Sequence, residues 1–131
     1  MATVKLIGLV EPRDESAREA FQEWYLGNHI EDVSHAPGVI RATVHRLVKP
    51  FMKTDPPMYI TLYEFETEDV EEAATALRKY LSNPGWPGRK PDNGSLKILS
   101  AGWYVVDRSF SQGAEKDQNG ESSISAGFET C

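Results

Sequence analysis

Twice along this chain a strand pattern runs into a helical pattern and then into a second strand. That order limits the available folds more than any other feature, because each strand must find its partner within one helix's reach. Residues 3–10, from Thr3 to Val10, are apolar on both faces with a β-branched bias, which predicts a central strand. Gly8 within it marks a bulge or a close approach. Ser16 and Glu19 have capping-box spacing, with Asp14 as the alternative cap, and Ala17, Ala20, Phe21 and Trp24 then recur at helical intervals. Gly27-Asn28 predicts a kink, and Pro37-Gly38 a stop. On an unbroken helix Phe21, Tyr25, His29 and Val33 would stand in one column.

Residues 39–47 alternate, Ile40, Ala42 and Val44 against Arg41, Thr43 and His45. A proline-rich loop carrying Phe51 and Met52 leads to the clearest strand, 58–66. Tyr59, Thr61, Tyr63 and Phe65 share one of its faces; Met58, Ile60 and Leu62 share the other. A second helix is predicted to open at Thr67, with Glu68 and Asp69 suited to its positive end. Val70, Ala73, Ala74, Leu77, Tyr80 and Leu81 form its apolar stripe, and Asn83-Pro84-Gly85 ends it. Trp86 lies in the Pro/Gly loop that follows. A last strand, apolar on both faces, spans about 96–107. From Ser109 the chain turns small and polar, with Phe110, Ile124 and Phe128 as its only anchors. The division is therefore a domain over 1–108 and a flexible polar tail over 109–131.

The predicted order β-α-β-β-α-β gives an α+β, ferredoxin-like fold: a four-stranded antiparallel sheet with two helices on one face. Two helices cover one side only, yet the strands are apolar on both, with Tyr59, Tyr63, Phe65 and Trp103 among the candidates for the bare face. An uncovered face of that kind is unusual in a monomer. A homodimer pairing its sheets face to face is expected, most simply with two-fold symmetry; a tail folded over the sheet is the alternative.

The net charge of −6 and pI of about 5.0 argue against nucleic acid and against anionic membrane surfaces. No apolar run reaches the length of a membrane span and no leader pattern opens the chain. The single cysteine, Cys131, offers neither a disulfide nor a zinc cluster, and a reduced, cytoplasmic protein is expected.

The run Trp24-Tyr25-x-x-x-His29-Ile30-x-Asp32-Val33-x-x-x-Pro37-Gly38-Val39-x-x-Ala42, with Tyr59-x-x-Leu62-Tyr63-Glu64-Phe65, resembles the EthD-like branch of the dimeric α+β barrel superfamily. The likeness spans roughly residues 3–107. It implies a ligand pocket between sheet and helices. That superfamily includes cofactor-free monooxygenases, cyclases and decarboxylases of phenolic or polyketide-derived substrates, haem-degrading proteins, and many members without known activity. A shared fold does not fix an activity.

His29 is the first candidate for chemistry, because imidazole titrates near neutrality and exchanges protons without a large shift. Asp32 and Tyr25 are placed to orient it; a histidine bonded to a backbone carbonyl is the structural alternative. His45 would join it if its strand face lines a pocket, and would be an interface residue if that face meets a partner. His35, before Pro37, reads as exposed. Tyr63 and Tyr59 offer phenolic donors to a developing oxyanion, and Trp24, Phe51 and Trp86 a wall and lid for a flat ligand. Each of these aromatics serves equally well as packing. No HxH or HxxxH spacing is present, so no metal is expected, nor any cofactor, although haem held by one histidine is a third reading. The leading expectation is a cofactor-independent enzyme of cyclase or decarboxylase type acting on an aromatic or polyketide-like molecule. Its catalytic residues would be His29, Asp32 and Tyr63. A non-catalytic dimeric binding protein and a cofactor-free monooxygenase are the alternatives.

Overall fold

The computed structural model describes residues 2–112. Most of the tail expected over 109–131 lies outside the described residues. Strands β1 (Ala2–Pro12), β2 (Val39–Arg46), β3 (Tyr59–Thr67) and β4 (Leu96–Tyr104) form one antiparallel sheet in the order β2-β3-β1-β4. A helical stretch over 15–34 links β1 to β2, and α3 (Val70–Ser82) links β3 to β4. This is the predicted α+β arrangement, with β1 and β3 at its centre.

The helical stretch is not the kinked α-helix that Gly27-Asn28 suggests. A 3-10 turn, Glu15–Ala17, leads into α1 (Arg18–Phe21), then a π-helical stretch, Gln22–His29, and then α2 (Ile30–Ser34). The backbone widens by one residue per turn across the weak helix formers instead of breaking. Asp14 is the cap: its carboxylate accepts from the Ala17 N–H at 3.0 Å and from the Ser16 hydroxyl at 2.6 Å. Ser16 is thereby spent on Asp14. At α3 the cap is Asp69, accepting from Glu71 N–H at 2.9 Å, so the helix opens at Val70 and not at Thr67. Gly38 closes the turn into β2 at φ +86°, a left-handed conformation that L side chains resist.

Register settles which sheet face is covered. Val4, Leu6, Gly8 and Val10 of β1 stand opposite Phe65, Tyr63, Thr61 and Tyr59 of β3, and this set lies under the helices. Phe21, fully buried, stacks on Tyr25 at 5.1 Å and meets Tyr59 at 5.3 Å, while Trp103 meets Phe65 edge-on at 4.9 Å. The aromatic face is thus the covered one, which corrects the expectation that Tyr59, Tyr63, Phe65 and Trp103 are candidates for the bare side. The physical reason is matching: the first helical stretch delivers its own rings to that face. The other face is aliphatic, with Ile7 and Leu9 of β1 beside Ile60 and Leu62 of β3. The register shift lies between Leu9 and Val10, making Leu99 of β4 the extra residue; the bulge is not at Gly8.

Candidate functional site

A π-turn closes between residues five apart, bringing i and i+5 to one side of the helix. The Ile30 N–H donates to the Tyr25 carbonyl in this way, and the rings of Trp24 and His29 stack at 4.7 Å and 27°. Tyr25, which an α-helical column would place directly under His29, lies 5.4 Å from it and tilted by 31°. The imidazole is half-buried. That burial pulls its pKa below the ordinary 6.5, against the charges of Asp32 and Asp92, which raise it, while Arg89 adds to the lowering. His29 is therefore a neutral imidazole at pH 7, able to accept a proton.

Tyr25 connects His29 to the sheet. Its hydroxyl lies 3.0 Å from Thr61 Oγ1, and the Tyr63 phenol is its other polar neighbour. Tyr63 is 6% exposed, and its hydroxyl has no hydrogen-bond partner. Burial first, then the adjoining Tyr25 phenol and the Asp32 charge, drive the Tyr63 pKa far upward, so this group stays protonated and keeps its O–H as a donor. A buried O–H without an acceptor costs about 1–3 kcal/mol, a cost that this packing carries at Tyr63.

Beside these hydroxyls the sheet is low. Thr61, Gly8 and Ala101 stand in one row across β3, β1 and β4, with Gly8 and Thr61 buried and Ala101 exposed. A Cβ placed on Gly8 would meet a single atom within 4 Å, Val10 Cγ1 at 3.8 Å. Small side chains thus run from the β4 edge inward to Thr61, whose Oγ1 meets the Tyr25 hydroxyl.

The remaining predicted residues fall elsewhere. Asp32, 2% exposed, does not orient His29 by a hydrogen bond: Arg89 Nε donates to its Oδ2 at 2.6 Å and the Tyr80 hydroxyl to its Oδ1 at 2.9 Å. It acts on the imidazole through charge alone. Tyr59 packs on Phe21. His45 pairs in register with Ile60 on the aliphatic face, so within one chain the sheet separates it from His29. Phe51 is 88% exposed in its loop and forms no wall here. Trp86 stacks on His35 at 5.2 Å and 10°, which gives His35 a partner that the sequence did not suggest. Trp24 is buried against His29, as a wall would be, but its Nε1 is committed to the Lys90 carbonyl at 2.9 Å.

Sequence reasoning missed Thr61, Tyr80, Arg89 and Asn28. Thr61 was visible as the lone hydroxyl in an aromatic strand face, while Arg89 was hidden in a loop that looked like spacer. Among the described residues no three His, Cys, Asp or Glu side chains gather as metal ligands would, and no helix is long and apolar enough to cross a membrane.

No protein-family model matches this chain, and no curated protein matches it. Solved structures do. A "putative monooxygenase" from Shewanella loihica PV-4 superposes with a TM-score of 0.50 at 19% identity, over 82% of this chain and 97% of that one. HapK from Hahella chejuensis gives 0.49 at 13% identity, over 84% and 99%. At such identity the likeness to the first speaks for a shared fold and not for an activity.

Proposed function

We propose that this chain is an enzyme that moves protons on an aromatic or polyketide-derived small molecule, with His29 as the base and Tyr63 as the oxyanion donor. The observation that carries this reading is the Tyr63 hydroxyl, buried and unpartnered beside Tyr25, whose ring in turn touches His29. Neutral His29 takes a proton from an acidic C–H or phenolic O–H, and the electron pair passes to the conjugated oxygen. The Tyr63 O–H donates to that oxyanion, and the imidazolium then returns its proton to the product. From the enolate, attack on a carbonyl of the same molecule is a cyclisation; a β-keto acid that gives its carboxyl proton to His29 and then loses carbon dioxide leaves an enolate that the imidazolium protonates, a decarboxylation. Neither step calls on a cofactor.

The same deprotonation of a phenol opens a second reading, favoured by the fold shared with a "putative monooxygenase". There dioxygen would give a quinone and water, the phenol supplying the electrons. The rival to both is a binding protein that holds the ligand unchanged. Membership of the EthD-like branch and a cytoplasmic setting belong to the same proposal.

Tyr63→Phe tests the reading because fold and chemistry should part. Removing an unsatisfied buried hydroxyl should leave stability equal or higher, by up to about 2 kcal/mol. Turnover of a phenolic or polyketide substrate should fall roughly 10²–10³-fold. Unchanged turnover in a folded Tyr63→Phe protein overturns the oxyanion role, and a wild-type protein that binds but never converts its ligand supports the rival.

The partner we propose is a second copy of the chain, aliphatic face on aliphatic face. Ile7, Leu9, Ile60 and Leu62 are half-buried there, and Tyr104, opposite Lys5, is 53% exposed. Sedimentation should give twice the 14.6 kDa chain mass, and Leu62→Asp, which sets a charge in the middle of that face, should give the single mass. A wild type that sediments as one chain would remove the dimer.

A further inference from the structure

The segment 84–95 has no regular secondary structure, yet it is among the most firmly bonded parts of the chain. Its grip comes from one helical column. Trp24, Asn28 and Asp32 are spaced by four, and all three are buried. Trp24 Nε1 donates to the Lys90 carbonyl at 2.9 Å. Asn28 uses both ends of its amide, donating to the Gly88 carbonyl at 2.9 Å and accepting from the Lys90 N–H at 2.8 Å. Asp32 takes Arg89. Three consecutive residues, Gly88, Arg89 and Lys90, are thus held by three successive turns.

Arg89 extends the grip to the next helix. Its Nη2 donates to the Tyr80 carbonyl at 3.0 Å, and its Nη1 to the carbonyls of Leu81, at 3.1 Å, and Asn83. It thereby satisfies the end of α3 that would otherwise need water. Asn93 Nδ2 adds a bond to the Ala20 carbonyl at 3.0 Å. His29 follows Asn28 directly and stacks on Trp24, so it sits inside this frame without belonging to it.

We propose that Trp24, Asn28 and Asp32, closed by Gly88-Arg89-Lys90, form a clasp that positions the His29 imidazole and keeps water from it. Trp24, Asn28 and Arg89 are then positioning residues for the base. This rests on the reading of His29 given above, but its test needs no substrate.

The charged groups facing His29 come from two elements: Asp32 from its own helical stretch, and Arg89 and Asp92 from the clasped segment. Tyr25 and Trp24 supply neutral walls. Opening the clasp admits water and withdraws Arg89, both of which favour the imidazolium. It also withdraws Asp92, which acts the other way. Because burial is the leading influence on this ring, the net movement is upward.

The experiment is an NMR titration of His29 in three full-length proteins: wild type, Asn28→Ala and Trp24→Phe. Asn28→Ala removes both amide bonds; Trp24→Phe keeps an aromatic ring beside the imidazole while removing the indole N–H together with the bulk of the second ring. In both variants His29 should titrate at higher pH, moving toward 6.5, with the larger movement in Asn28→Ala. Should Asn28→Ala not fold, the milder Trp24→Phe decides. A folded variant whose His29 titrates as in the wild type overturns the clasp. Its failure is separate from failure of the base, which would show as full turnover without His29.

Discussion

Asp32→Ala should destabilise this protein more than any other single exchange of a charged residue, by about 3–5 kcal/mol. The carboxylate is 2% exposed and the Arg89 side chain 19% exposed, so the pair is withdrawn from water on both sides. Removing Asp32 leaves a guanidinium beside the Tyr80 ring, 4.9 Å from its centroid, with its nearest counter-ion gone. It also takes from the Tyr80 hydroxyl one of its two acceptors, Oδ1, while the main-chain carbonyl of residue 32 remains. The three carbonyls at the end of α3 keep Arg89 partly satisfied, which places the expected loss nearer 3 kcal/mol than 5. For a domain of this size that is a fall in melting temperature on the order of 15 °C. Urea unfolding of Asp32→Ala, Arg89→Ala and the double variant measures the coupling directly. A loss below about 1 kcal/mol in Asp32→Ala would mean the pair is solvated and holds nothing.

The contrast between that carboxylate and its reading from sequence shows what periodicity can and cannot carry. Alternation in Tyr59–Phe65 identified a strand with two distinct faces, because side-chain direction in a strand depends on local geometry alone. Which face the helices would cover was not local: it depended on Phe21, Trp24 and Tyr25 bringing rings to meet rings. Pro37-Gly38 announced its turn correctly, since φ +86° is a demand on one residue. The π-helical stretch was illegible, because helix propensities rank residues and say nothing about whether a turn closes at four or at five. Hence Trp24, which stood outside the expected column, stacks on His29 beside Tyr25.

Asp32 shows the same limit from the other side. Its spacing of three from His29 suggested a partnership along one helix, while its actual partner stands 57 positions away in Arg89. The column Trp24, Asn28, Asp32 was present in the sequence as a spacing of four. Nothing in that spacing named Gly88, Arg89 and Lys90 as the residues it would hold. The candidate base was legible from chemistry alone, as an imidazole beside rings and an acid. The orphan hydroxyl of Tyr63 was legible only as one tyrosine among several, since burial without an acceptor is a property of the packed core.

His29→Gln should lower turnover by roughly 10²–10⁴ while leaving ligand affinity near that of the wild type, because the amide preserves size and polarity but accepts no proton at neutral pH. The pH dependence follows from the direction of the shift. Burial holds the imidazole below 6.5, so the active neutral form persists under mildly acidic conditions in which a free imidazole is half protonated. The acid limb of kcat/KM should therefore fall at a pH below 6.5 and vanish in His29→Gln. Stability carries the same sign. The unfolded chain binds the proton at about 6.5 and the folded chain resists it, so this contribution is complete above 6.5 and is lost as the pH drops through the folded value. An Asn28→Ala protein should show both limbs displaced toward 6.5, because the same water that reaches the ring relieves the penalty on its charge. An acid limb at or above 6.5 in the wild type, or one that survives in His29→Gln, would assign the proton transfer to another group.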